Sequence, residues 1–201
     1  MANNRVTKKE VEKLIAIPGK VRGQVFLTDF GYVEEEKGEK GVELLKKKMA
    51  DWGNPIDYTK VKALEWYPVG LRAVSLLAVK ESFNRGEKEI FDLGNNAPKY
   101  SLIVKMLMKY FLSVPKTFEQ VSHYWEKHYS VGELEAVKYS EEKGYFLVHL
   151  KNFKIHPILC TLYAGYFLRI GQYVVREEMT IQETKCMFKG DPYHEYLIRW
   201  K

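Results

Sequence analysis

The stretch that most constrains the fold is "HPILCTLYAGYFLRIG", residues 156–171, followed by two β-rich segments that run to the end of the chain. It opens at a proline, ends at a glycine and holds one charged residue between them, so it reads as a buried helix. "QYVVREEMTIQETKC" and "YHEYLIRW" follow as strands around a Gly190-Asp191-Pro192 turn. Just upstream, "GELEAVKYS" and "YFLVHLKN", split by "EEKG", read as a β-hairpin.

The first two thirds read as mostly helical. Thr7 is an N-cap and Glu10 completes a capping box for a short helix to about Ile17. Val42, Leu45, Met49 and Trp52 fall on one helical face, and a largely buried helix runs from Pro68 through "VGLRAVSLLAVKESF". "KYSLIVKMLMKYFLSV" reads as a core helix stopped by Pro115. "KTFEQVSHYWEKHYSV" is amphipathic, with Phe118, Val121, Trp125 and Tyr129 at helical intervals, the pattern of an ordinary core stripe. Two segments break the series: "GQVFLTDFGYV" (23–33) has the composition of a strand, and "DLGNNAP" that of a loop. The order predicts an α+β fold, with helices packed on one face of an antiparallel sheet. With no repeat or linker, residues 1–201 are expected to form a single domain.

Composition narrows the function classes. Hydrophobic residues are 46% and charged residues 29%, so the chain is globular rather than disordered. The net charge of +6 comes from lysines interleaved with acids, and Lys46-Lys47-Lys48 follows an acidic run as one solvated helix face. No nucleic-acid partner is therefore expected. No apolar run approaches the roughly 18–20 residues of a membrane span. "MANNRVTKKEVEKL" lacks the apolar core of a signal peptide, giving a cytoplasmic expectation.

The two cysteines are too few for a disulfide scaffold, and a Cys160–Cys186 disulfide is disfavoured in a reducing compartment. Cys160, Glu183, Cys186 and His194 are separated by 23, 3 and 8 positions and could supply four donors to a tetrahedral zinc. Residues three apart in a regular strand face opposite sides, so Glu183 and Cys186 converge only through a bulge or bend. With four protein ligands the site would be structural, stapling the last hairpin to the buried helix. The other reading is two buried small hydrophobes, a surface histidine and a solvated acid.

Residues 155–200 resemble the closing half of a 4-vinyl reductase domain. The shared pattern is a cysteine shortly after a proline, an apolar helix containing a glycine, a strand ending Glu-x-x-Cys, a Gly-Asp turn and an aromatic strand. The resemblance implies zinc ligation by Cys160, Glu183 and Cys186, with His194 at a fourth position where that family usually has cysteine. It also implies a fold similar to vesicle-tethering (TRAPP) subunits and to relatives associated with haem-NO signalling, helix-mediated homodimers and an apolar pocket. The function expected from it is a sensor or carrier for an apolar or aromatic small molecule.

His123, Tyr124 and Trp125 are the candidate ligand-binding groups, although successive helical residues point about 100° apart and cannot all face one pocket. Two alternatives stand beside the sensor: a tetrapyrrole-related vinyl reductase or its accessory, and a dimeric tether without ligand. The reductase lacks a GxGxxG fingerprint, a CxxC pair or the four cysteines of an iron–sulfur cluster, so no catalytic residue is assigned.

Overall fold

The computed structural model describes residues 6–107 and 113–201. Along the chain these are α1 (Lys8–Ile15), β1 (Lys20–Arg22), α2 (Gln24–Asp51), β2 (Trp66–Pro68), α3 (Val69–Ser82), α4 (Glu87–Tyr100), α5 (Leu102–Leu107) and α6 (Val114–His128). The C-terminal part is β3 (Glu133–Ser140), β4 (Tyr145–Lys151), α7 (Ile158–Val174), β5 (Met179–Lys185) and β6 (Tyr193–Trp200). The fold is α+β, as the element order predicts.

The four C-terminal strands form one antiparallel sheet in the order β3-β4-β6-β5. Strand alternation puts Val148, Leu150, His194, Tyr196 and Ile198 on the inner face, all buried, while His149, Lys151, Glu195 and Arg199 point the other way. Helices α6 and α7 lie on that inner face: Val121 of α6 and Val174 of α7 meet Phe146 and Val148 of β4 around one small apolar gap. The short β1–β2 pair ties the N-terminal helices together, through Lys20↔Pro68 and Arg22↔Trp66.

The capping box at Thr7 is present: Thr7 Oγ1 accepts from Glu10 N at 3.3 Å and Glu10 Oε2 accepts from Thr7 N at 2.7 Å. Pro68 precedes α3, as expected. Of the helix expected over "KYSLIVKMLMKYFLSV", α5 supplies the part up to Leu107; residues 108–112 lie outside the described residues. Pro115 sits in the first turn of α6, where a missing N–H costs nothing.

Two expectations fail. Residues 24–33 are helical, not a strand, because Val25, Phe26, Asp29, Tyr32 and Val33 are buried at helical spacing; α2 then bends at Gly38, which has φ 63°. "DLGNNAP" is the interior of α4, not a loop. Its glycine serves helix packing: a Cβ on Gly94 would come within 2.0 Å of the Leu162 carbonyl oxygen, and one on Gly165 within 2.0 Å of the Phe91 carbonyl oxygen. α4 and α7 therefore cross almost backbone to backbone.

Candidate functional site

The four donors singled out in the sequence do converge. Cys160 stands in the first turn of α7, Glu183 on β5, Cys186 just beyond its end, and His194 on β6. The required distortion is a register shift in the β5–β6 ladder between Glu183 and Lys185. Beyond it the chain tightens into a 3₁₀ turn at Met187–Lys189, with Gly190 at φ 101°. The Cys186 carbonyl accepts from Lys189 N at 2.8 Å, and Cys186 N donates to Asp191 Oδ2 at 2.8 Å, which fixes the thiol inward.

One potential ligand atom from each side chain lies within 4.8 Å of the other three. The Sγ–Sγ distance is 3.9 Å, Cys160 Sγ to His194 Nδ1 is 3.7 Å, and His194 Nδ1 to Glu183 Oε1 is 2.9 Å. Ligands held tetrahedrally at about 2.0–2.3 Å from one ion stand roughly 3.3–3.8 Å apart, so two of these separations are near the spacing of a common centre. On its other side His194 Nε2 lies 3.2 Å from the Phe153 carbonyl oxygen, which can only accept. That contact puts a proton on Nε2 and, in the neutral ring, turns the Nδ1 lone pair toward the carboxylate and thiols. A cation bound between them would satisfy all of these groups at once. Burial first, and the Glu183 carboxylate next, push the Cys160 thiol up from its ordinary value.

A second feature lies among the helices. A cavity of about 70 Å³ is lined by residues of α2, α3, α4, α6 and α7, with Ser101, Tyr129 and Leu134 beside them. Much of its wall is aromatic: Trp125 stacks on Tyr129 at 4.4 Å between ring centroids and meets Tyr163 edge-on at 5.3 Å, while Tyr163 stacks on Phe167 at 5.8 Å.

Of the three candidate ligand-binding residues, Trp125 and Tyr124 are buried and line this cavity, and Trp125 Nε1 donates to the Val131 carbonyl at 2.9 Å. His123 does not join them. Its side chain is 52% exposed and stands 4.0 Å from Glu126, because the two helical steps from Trp125, about 200°, carry it to the opposite side. The imidazole on the cavity wall is instead His128, one turn beyond Tyr124, with Nδ1 donating to the Tyr124 carbonyl at 3.0 Å. Burial lowers its affinity for a proton.

Sequence reading also missed the cavity's charged member. Arg72 of α3 is 2% exposed, ion-paired with the fully buried Asp29 of α2, and its Nη1 also donates to the Val25 carbonyl at 3.3 Å. Ser75 donates to the same Asp29 oxygen at 3.2 Å. Burial raises the Asp29 carboxyl above its usual range, with Arg72 pulling against it. An arginine in the otherwise apolar "VGLRAVSLLAV" was the available signal.

No protein-family model and no curated protein matches the sequence. Solved structures of the same fold do exist. An H-NOX protein from S. oneidensis in the Fe(II)NO ligation state superposes with a TM-score of 0.68 at 11% identity, over 90% of this chain and 99% of that one. An oxygen-binding H-NOX domain related to soluble guanylate cyclases gives 0.62 at 12% identity, over 90% and 95%. A structure described as probing haem distortion in the H-NOX family gives 0.63 at 14% identity, over 90% and 95%. At these identities the likeness establishes the fold. It agrees with the expected kinship to haem-NO signalling relatives, and none of the comparisons supports the 4-vinyl reductase assignment.

These neighbours also correct the expected cofactor. The group named with them is haem iron, not zinc, so a structural zinc is withdrawn as the cofactor of this chain. Spacing correctly predicted that the donors meet, but converging donors do not select an ion.

Proposed function

We propose that this chain is a small-molecule-binding domain, a sensor or carrier, whose ligand is a compact and largely apolar molecule held in the helical cavity. The observation that carries this reading is the cavity itself: it is walled largely by aromatic rings and draws buried polar side chains to an otherwise apolar space. The H-NOX relatives, described in Fe(II)NO and oxygen-bound forms, support a fold suited to holding such ligands.

Haem does not fit here. A ligand site for a molecule of that size takes several hundred Å³, against about 70 Å³ in this cavity. The rings of Trp125, Tyr129 and Tyr163 on its wall are packed against one another, leaving no gap for a porphyrin plane between them. For scale, a cavity of about 150 Å³ takes the six carbons of benzene, so this one of about 70 Å³ suits roughly three to four non-hydrogen atoms. At the best efficiency known for tiny ligands, four such atoms supply about 6 kcal/mol, a Kd no tighter than tens of micromolar.

The four-donor cluster is proposed to hold one metal ion that ties the C-terminal hairpin to α7. Two thiols, an imidazole and a carboxylate favour a transition metal over magnesium or calcium. Every donor comes from the protein, which suits a staple rather than a reacting centre.

Xenon tests the ligand reading, being apolar and small enough for the cavity. Under a few atmospheres of xenon, methyl signals of Leu134 and Leu162 should shift saturably in NMR spectra while those of the outer sheet face stay fixed. A linear, non-saturating response spread over the surface would sink the reading. Native mass spectrometry of the purified protein tests the cluster: one bound ion per wild-type chain, lost in Cys186→Ser, is expected, and a bare chain mass would refute it.

A further inference from the structure

One wall of the cavity has an unmet hydrogen-bonding group. Among the described residues eight polar or charged side chains are buried, and five of them, Gln24, Thr28, Arg72, Ser101 and His128, line this one space. Such groups avoid the interior unless partnered, so their gathering here requires a cause. Most are satisfied by the fold. Gln24 donates to the Tyr100 carbonyl at 3.2 Å and accepts from Leu102 N at 3.0 Å; Thr28 donates to the Gln24 carbonyl at 2.9 Å. Ser101 caps α5 by accepting from Val104 N at 3.2 Å, and His128 is held by the Tyr124 carbonyl. Arg72 is the exception: Nη1 is spent on Val25 and Asp29, while the buried Nε has no partner. A buried guanidinium N–H left bare is among the costlier defects a core can carry.

We infer that the ligand of this cavity is a neutral molecule of about four non-hydrogen atoms carrying one acceptor oxygen, such as a small carbonyl compound, which takes the Arg72 Nε–H while its carbon part packs on Trp125 and Tyr163. Neutrality follows from the charge count. Asp29 already balances Arg72, so an anion would bring an uncompensated charge into a largely apolar site. Size follows from the volume, and the apolar remainder from the aromatic wall. This inference rests on the cavity being a ligand site, and adds the chemistry of the ligand.

Acetone and isobutene have the same shape and four non-hydrogen atoms each, and only acetone has an acceptor. NMR titrations would give both affinities for the wild type and for the double variant Asp29→Asn/Arg72→Met. The double change removes the guanidinium without stranding a buried carboxylate, which Arg72→Met alone would do. The ratio of acetone to isobutene affinity should fall at least tenfold in the double variant, the range expected for a hydrogen bond to a charged group. In the wild type, bound acetone methyls should show nuclear Overhauser contacts to Arg72 Hε, a readout that needs no variant. An unchanged ratio with isobutene still bound, or acetone bound without that contact, would overturn the inference and leave the cavity reading standing. Failure of both probes to bind, with ordered water alone contacting Arg72 Hε, would overturn both.

Discussion

The metal-donor cluster and the helical cavity are built in opposite ways. The cluster draws its four side chains from 35 residues of continuous sequence, Cys160 to His194, and a single bulge brings them together. The cavity takes its wall from Gln24 to Phe167, five helices apart, and no two adjacent elements define it. One is a local device whose order should depend on what it binds. The other is formed by global packing and should depend on every helix that lines it. Ligand-held and packing-held regions respond to different perturbations, and that difference can be measured.

The largest effect is expected at the aromatic wall. Trp125→Ala removes a buried ring stacked on Tyr129 and packed on Phe153 and Tyr163, and should cost about 3–5 kcal/mol in urea unfolding. A cost below 1 kcal/mol would mean the cavity is already loose. Cys186→Ser should cost about 3 kcal/mol in protein as purified, by losing an ion rather than a contact. A chelator should produce the same loss in the wild type and none in the variant. If the chelator changes neither, the comparison collapses and both regions are packing-held.

A smaller loss, about 2 kcal/mol, should follow Gly165→Ala, because its Cβ would strike the Phe91 carbonyl and spread α4 from α7. Xenon uptake should change with it while bound metal does not. Lowering the pH separates the regions more gently. His128 is buried with its proton affinity lowered from 6.5, so below that value the unfolded chain takes up a proton that the folded chain refuses. Stability should therefore fall as pH drops through 6.5, by up to about 1.4 kcal/mol per unit from this residue. His128→Gln should flatten that slope; an unaltered slope would move its origin elsewhere. Finally, the exposed His123→Ala should change stability by less than about 0.5 kcal/mol and leave xenon uptake intact.

The legibility of the two regions follows the same division. Cys160, Glu183, Cys186 and His194 could be read because a strand, a turn and a strand fix their neighbours locally, and even the required bulge could be foreseen from the three-residue spacing. The ion could not, since donor type constrains a metal without naming it. In the helical part, Trp125 was readable from its stripe, but of the candidates named with it His123 points away to solvent, and the histidine on the cavity wall is His128, about one turn further on. Residues 23–33 and "DLGNNAP" misled for a shared reason. Local propensity favoured strand and loop by less than tertiary burial favoured helix, and Gly94 marks a close helix crossing rather than a break.

By itself the sequence determined the α+β order, the capping of α1, the closing hairpins and the meeting of four donors. All of these depend on groups within a few residues of one another or on a hydrophobic period repeated along one element. Only the tertiary structure decided that Asp29 and Arg72 pair, 43 residues apart, and that a small cavity opens beside them. Such contacts form where five helices pack, and the closeness of that packing is a property of the whole assembly that no single segment encodes.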